Sequence, residues 1–305
     1  MEEKQKFYLA LDLGGTKTTV ALFSTNGKLI NNSIITEPSV TFQGEERVYS
    51  HTLEIIRKAM KNNDIIENDL LGIGVGAPGP LDTKAGTIIH APLMGWHDFP
   101  IALRLSRDLN VEVRLDNDGN LGALAEQRNG MAKGHENVGY MTVSTGIGGG
   151  LVFNGKIYHG KNDGAGEFGH ISIFPDGLEC PCGNRGCLEL YASGTAIARI
   201  ASEEGISFNA KQLAVMADDK NETALKIFKD TGRYLGYGIT TIFNMLDLDI
   251  LVLGGSVSKA NKHFKEEMYN VVEHSTLQSF DRSRITFSNM SDHVVLYGAY
   301  HLFVN

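Results

Sequence analysis

The chain has 305 residues, enough for one large or two medium domains that each bury a real core. Hydrophobic residues make up 42% and charged residues 21%, an ordinary globular balance, and a net charge of −8 argues against a nucleic-acid partner. The opening Met1-Glu2-Glu3-Lys4-Gln5-Lys6 is not a signal peptide. No apolar stretch approaches the roughly 20 residues needed to span a bilayer, so a cytoplasmic protein with no membrane partner is expected. The three cysteines, all between Cys180 and Cys187, form no disulfide framework and fit a reducing compartment. Glycine is the outlier: 35 residues, bunched in short loops where backbone can press against a ligand.

In chain order, Phe7 to Leu13 reads as a buried strand ending in the turn Gly14-Gly15. Thr18 to Phe23 is a second strand, Asn26-Gly27 a hairpin turn, and Leu29 to Thr36 a third strand, which together predict a three-stranded antiparallel meander. Glu45 to Lys61 carries Val48, Leu53, Ile56 and Met60 at helical spacing. Leu70 to Val75 is a short apolar strand running into Gly76-Ala77-Pro78-Gly79-Pro80, and Val111 to Arg114 is another short strand. A comparable unit starts at Val138 to Val143. A glycine turn from Ser144 to Gly150 follows, then Leu151-Val152-Phe153, the hairpin turn Asn154-Gly155 and the returning Lys156-Ile157-Tyr158. Ala224 to Leu246 reads as one long helix and Asp249 to Leu253 as a buried strand ending at Gly254-Gly255. Two segments that each run strand, glycine turn, strand, hairpin are a candidate structural repeat. The pattern places a small α/β domain at 1–117, onto which about 290–305 can pack back, and a larger α/β domain at 118–289.

Two loops have the composition to hold phosphates: Asp12-Leu13-Gly14-Gly15-Thr16-Lys17 and Ser144-Thr145-Gly146-Ile147-Gly148-Gly149-Gly150. Both run into strand-like residues, which excludes a dinucleotide fingerprint, and no GxxxxGK[ST] occurs. Tight hairpin turns without a ligand are the competing reading. Asp12 weighs against it, because a carboxylate at the end of a buried strand needs compensation. Mg²⁺ beside a triphosphate supplies that compensation. Thr16 and Lys17 lie where a hydroxyl and an ammonium can meet phosphates.

Leu115-Asp116-Asn117-Asp118-Gly119-Asn120 lies between a strand and an apolar helical run. A helix N-cap accounts for one such residue, but three polar groups in a row exceed what a cap needs. Phosphoryl transfer to an alcohol uses a carboxylate that accepts the hydroxyl proton, and Asp118 is the candidate, with Asn117 bonding a neighbouring hydroxyl. His170, Cys180, Cys182 and Cys187 have the ligand types and spacing of a closed, structural zinc site within residues 170–187, three free thiols being the alternative. Glu167 and Glu189 flank it, either gripping hydroxyls or simply exposed.

With these residues placed, the chain resembles the ROK family of repressors, open reading frames and sugar kinases. The resemblance rests on Asp12 to Lys17, Gly76 to Gly79, Asn117-Asp118, Ser144 to Gly150, Glu167 with His170, the Cys180–Cys187 loop, Glu189 and Leu253-Gly254-Gly255. It implies an actin-like ATPase (ribonuclease H-like) fold, two α/β domains around a central cleft. It also implies ATP-dependent phosphorylation of a sugar, usually on the 6-hydroxyl of an aldohexose such as glucose or N-acetylmannosamine, or of a β-glucoside such as cellobiose. Asp118 would be the base. Gly79, Asn117, Asp118, Glu167, His170 and Glu189 would contact sugar. Asp12, Gly14, Gly15, Thr16, Lys17, Thr145, Gly146, Gly148, Gly254 and Gly255 would hold ATP and Mg²⁺. A structural Zn²⁺ and a homodimer are implied too.

Three positions depart from the family pattern. Leu93 stands where many family glucokinases have Asn, which weighs against plain glucose specificity, and Asn117-Asp118-Gly119-Asn120 looks more like N-acetylmannosamine kinases; Ser256 replaces a usual third glycine, a change expected to matter little. The second functional class is a sugar-responsive regulator. The position of Asp12 near the start leaves no room for a helix-turn-helix before it, and the acidic charge disfavours DNA.

Overall fold

The computed structural model describes residues 5–91, 94–290 and 293–304; Leu93 and the first four residues lie outside these. The chain opens with β1 (Phe7–Leu13), β2 (Lys17–Ser24), β3 (Ile35–Pro38), α1 (Glu45–Lys61) and β4 (Leu70–Ala77). There follow β5 (Leu81–Asp82), β6 (Thr87–Ala91), β7 (Trp96–Phe99), α2 (Ile101–Leu109), β8 (Val113–Asn117) and α3 (Asp118–Asn129). Next come β9 (Asn137–Val143), β10 (Ile147–Phe153), β11 (Lys156–Ile157), α4 (Glu189–Ala192), α5 (Gly194–Glu203), α6 (Ala210–Asp218) and α7 (Glu222–Leu246). The last elements are β12 (Ile250–Gly254), α8 (Lys265–Ser275), β13 (Ile285–Phe287) and α9 (Val294–His301). They divide into two compact units. The first comprises residues 1–125, 159–165 and 293–305, and the second 126–158 and 166–292.

The first unit is built on a five-stranded sheet of order β3-β2-β1-β4-β8, with β1, β4 and β8 parallel and β2 and β3 antiparallel. On one face, α1 buries Val48, Tyr49, Thr52, Ile55, Ile56, Ala59 and Met60, a three-to-four-residue stripe. Glu45 and Glu46 in its first turn and Lys58 and Lys61 in its last complement the helix dipole. On the other face α9 packs on β1 and β4, close enough that a Cβ at Gly74 would strike the Ala299 carbonyl. Phe23 stacks on Tyr300 with ring centroids 5.0 Å apart, sealing that contact. A separate three-stranded sheet, β5-β6-β7, carries the stacked pair Trp96 and Phe99.

The expected third strand, Leu29 to Thr36, is broken. Leu29 makes an isolated bridge to Phe23, residues 31–33 form a 3₁₀ turn, and only Ile35–Pro38 pairs as a strand. The cause is Ser33, which is fully buried. Its hydroxyl accepts from Leu22 N at 2.8 Å and donates to the Ile30 carbonyl at 2.6 Å, replacing ladder bonds with side-chain ones.

The second unit repeats the first sheet's plan, with order β11-β10-β9-β12-β13, β9, β12 and β13 parallel and β10 and β11 antiparallel. The candidate repeat is therefore a repeat of topology. The 25-residue α7 is started by Asn221, whose side chain accepts from Ala224 N, and stopped at left-handed Asp247. Gly232 and Gly236 on α7 let it approach α8 and the Phe264 backbone just before it; a Cβ at 236 would stand 2.6 Å from that of Val271. No helix among the described residues is long and apolar enough to cross a membrane.

Candidate active site

In the first unit three parallel strands end side by side. The register sets Asp12 beside Gly76 and Gly76 beside Asp116, so the following residues leave the sheet together at its carboxyl edge. That edge is where open α/β sheets present ligand-binding groups. Strand β8 runs through Leu115, Asp116 and Asn117, beyond the Arg114 limit expected from sequence, and α3 begins at Asp118. Asn117 does part of the capping: its Oδ1 accepts from Gly119 N at 2.8 Å, and one oxygen of Asp118 accepts from the same N–H at 2.8 Å. The amide nitrogen of Asn117 points toward Gly79, 3.5 Å from where a Cβ there would stand.

After β1, the Gly14 N–H donates to the Lys17 carbonyl at 3.0 Å, and a Cβ at Gly14 would sit only 2.8 Å from that oxygen. Ser39 fastens the turn from outside: its hydroxyl donates to the Gly14 carbonyl at 2.7 Å and its N–H to Thr16 O at 3.0 Å. Gly15 is half-buried, and Thr16 and Lys17 are exposed.

Burial, and next the charge of Asp118, push the Asp12 carboxyl up to about 7, against the pull of Lys17. The two carboxylates therefore belong to one electrostatic site. Between about pH 4 and pH 7 the folded protein holds a proton on Asp12 that the unfolded chain has released, so stability falls as pH rises through that window. Asp12→Asn removes this slope. In Mg²⁺-free, nucleotide-free buffer the variant should match wild type near pH 4 and exceed it at pH 8 by about 2 kcal/mol, allowing for solvent screening. Thermal melts across pH check this; parallel curves for the two proteins would contradict it.

In the second unit, β9 and β12 also end together, with Thr142 opposite Gly254. The glycine turn is shorter than expected. Ser144 N donates to the Gly146 carbonyl at 2.9 Å, and Ile147 already begins β10, so Gly148, Gly149 and Gly150 are strand residues. Packing explains Gly149: a Cβ there would collide with the Phe168 ring and come within 2.7 Å of Gly166 O, so this glycine lets the segment around Gly166 and Phe168 lie directly on the strand. Gly255 has φ +87, and its Cβ would meet the Val143 carbonyl; one at Gly254 would meet the Tyr140 hydroxyl. The Ser256 and Ser144 hydroxyls are 3.1 Å apart, so the serine that departs from the family pattern links the two turns. Thr195 N and Oγ1 donate to the Thr145 carbonyl at 3.1 and 2.8 Å, at the start of α5.

Glu189 opens α4, and its Oε2 accepts from Ile147 N at 2.7 Å. One of its oxygens thus braces the Gly146 turn, a role that spacing did not reveal. Glu167 is exposed, and its carbonyl accepts from His170 N at 3.1 Å.

His170, Cys180, Cys182 and Cys187 place one ligand atom each within 4.8 Å of one another. Cys182 Sγ and Cys187 Sγ are 3.7 Å apart, and Cys180 Sγ is 3.8 Å from His170 Nδ1. A tetrahedral zinc with Zn–S near 2.3 Å sets its sulfurs about 3.8 Å apart, so the donor set fits zinc in type, number and spacing. Burial and the adjacent thiols push Cys187 up to about 12, and a divalent cation is what lets such a group ionise. His170 meets the thiols through Nδ1, which leaves Nε2 as its second polar atom.

Two further residues, Asp116 and His159, meet at the carboxyl edge of the first unit's sheet. Asp116 is 2% exposed, and His159 Nε2 lies 2.7 Å from its Oδ2. The pair is separated by 43 residues, and no local pattern announces it.

Two α/β units built on the same five-stranded plan make up the actin-like fold. The chain belongs to the ROK family, which matches residues 8–305. It is 36% identical over 271 residues to a glucokinase of Halalkalibacterium halodurans, covering 84% of this chain and 82% of that one. Among solved structures, a ROK hexokinase from Thermus thermophilus superposes with a TM-score of 0.83 at 32% identity, covering 96% of each chain. A ROK glucokinase from Streptomyces griseus in complex with glucose and AMPPNP gives 0.83 at 25% identity, covering 97% and 98%.

Proposed function

We propose that this protein is an ATP-dependent hexokinase that transfers the γ-phosphoryl group to the 6-hydroxyl of glucose. The observation that carries the reading is the Asp12–Asp118 carboxylate pair at the carboxyl edge of a parallel sheet, close enough that the charge of Asp118 raises the cost of ionising Asp12. Its similarity to glucokinases supports glucose over other aldohexoses.

In this mechanism Asp118 accepts the 6-hydroxyl proton as the oxygen attacks phosphorus. The amide of Asn117, Gly79, Glu167, the Nε2 of His170 and the oxygen of Glu189 not bonded to Ile147 orient the remaining sugar hydroxyls. Gly14, Gly15, Thr16 and Lys17 in the first unit, and Thr145, Gly146, Gly148, Gly254 and Gly255 in the second, hold the nucleotide phosphates and nucleoside. Asp12 would hold hydrated Mg²⁺, which when bound neutralises charge on the phosphates. His170, Cys180, Cys182 and Cys187 would hold zinc with no open position, so its role is to fix the segments that carry Glu167 and Glu189. The protein is placed in the cytoplasm by this reading.

A coupled ADP-release assay with Mg·ATP over glucose, mannose, N-acetylmannosamine, N-acetylglucosamine, allose, fructose and cellobiose tests the proposal. Glucose should give the highest kcat/KM. Sugar binding by calorimetry with no turnover of any of the seven would overturn the enzyme reading in favour of a sugar-sensing protein.

A further inference from the structure

Asp116 is a carboxylate with almost no solvent contact, yet it lies two residues from the proposed base. A buried charge of this kind costs several kcal/mol unless its lone pairs are filled. Here they are filled in an informative way. Oδ1 accepts from Asn117 N at 2.8 Å and from Asn120 Nδ2 at 2.9 Å, which are the residues on either side of Asp118 and Gly119. Oδ2 accepts from His159 Nε2 at 2.7 Å. Because Asp116 is acceptor-only when ionised, that imidazole nitrogen carries its proton, and the neighbouring carboxylate raises the histidine's affinity for a second one.

The donor is itself fixed. His159 begins the seven-residue segment 159–165, which belongs to the same compact unit as β8 although its flanking residues belong to the other. The segment closes on itself through Ala165 N to the His159 carbonyl at 3.2 Å. Asp163, in the left-handed region at φ 55, accepts from Thr83 N and Thr83 Oγ1, both at 3.0 Å. The imidazole is thus a stop held at both ends of its loop, and Asp116 is pressed against it.

We propose that His159 is a positioning residue for the catalytic turn, acting through Asp116 to fix the Asn117–Asn120 backbone and so the direction of the Asp118 carboxylate. This rests on the reading of Asp118 as the base. A hydrogen-bonded carboxylate that grips both sides of a turn sets its geometry, and displacement of a catalytic group by about 1 Å costs on the order of 100-fold in rate. A plain fold-stabilising ion pair would instead lower melting temperature and leave the folded enzyme's kcat alone.

The test compares wild type, His159→Leu, His159→Gln, Asp163→Ala and Asp118→Asn in the glucose assay, with a melting temperature for each. The Gln side-chain amide can donate where the imidazole does, without a charge; Leu cannot donate. His159→Gln should keep kcat within about threefold, while His159→Leu should lose roughly 10- to 100-fold in kcat with the KM for ATP little changed. Asp163→Ala, which loosens the loop behind the donor, should fall in the same direction by less. Wild-type kcat in folded His159→Leu, or equal loss in the Leu and Gln variants tracking their melting temperatures, overturns the proposal while leaving the base assignment intact. Normal turnover by Asp118→Asn overturns the base assignment and this inference with it.

Discussion

Asp118→Asn is expected to bind glucose and Mg·ATP and to turn over at least about 10²–10⁴-fold more slowly than wild type. The substitution is close to isosteric. Its Oδ1 can still accept from Gly119 N, the bond at 2.8 Å that ties this side chain to the start of α3, so the turn should keep its shape. What disappears is the capacity to take a proton at neutral pH. Loss should therefore fall on kcat, with the KM values for both substrates changed only a few-fold. A secondary effect follows from the pairing with Asp12. With one negative charge gone, Asp12 is easier to ionise and its titration should shift downward, which NMR of the side-chain carboxyl can follow. Steady-state kinetics with calorimetric sugar binding separates the cases: near-normal kcat, or lost sugar binding, contradicts the assignment of Asp118 as base.

The second large effect concerns the metal cluster. Cys187 is fully buried, its backbone bridges Ser172, and its sulfur is 3.7 Å from both Cys182 Sγ and the His170 carbonyl. Cys187→Ser removes one thiolate from a closed four-ligand set, and the expected result is loss of stoichiometric zinc and about 3–5 kcal/mol of stability. For a chain of this size that is a drop of about 10 °C in melting temperature. The damage should reach the sugar side as well. Leu188 N donates to Ile171 O at 2.8 Å, so the segments leading to Glu189 and away from His170 are stitched together beside the cluster. A raised KM for glucose should accompany the lost metal, with the KM for ATP less affected. Metal analysis, thermal melts and sugar kinetics on one preparation check all three, and zinc-free wild type of unchanged stability would contradict the site.

Much of this was legible in the sequence because the signals were local. The helix Glu45–Lys61 falls at its predicted bounds, since its apolar stripe and charged ends all lie within one window. The cysteine cluster was readable because three of four ligands sit within eight residues. The misses share a different character. Ser33 breaks a strand through bonds to residues three and eleven positions away, which a β-propensity pattern cannot register. The glycine turn stops at Gly146, because Ile147 already begins a strand and Phe168 and Gly166 lie against Gly149 within it, a tertiary contact. The segment from Leu81 to Phe99 has strands of two to five residues, too short for a periodicity to establish itself. His159 and Asp116 meet only after the chain has folded.

The broken third strand has a bearing on how the protein behaves at high concentration. A long, straight strand on the rim of a sheet offers a row of unpaired amides and carbonyls to any neighbouring molecule. Here the outer antiparallel strand of the first sheet is cut to Ile35–Pro38 by the buried Ser33, and it finishes on a proline that has no amide to give. Its counterpart in the second sheet, Lys156–Ile157, is only two residues long. The buried serine that spoiled a regular hairpin therefore also shortens the stretch along which two copies of this chain could stick together edge to edge.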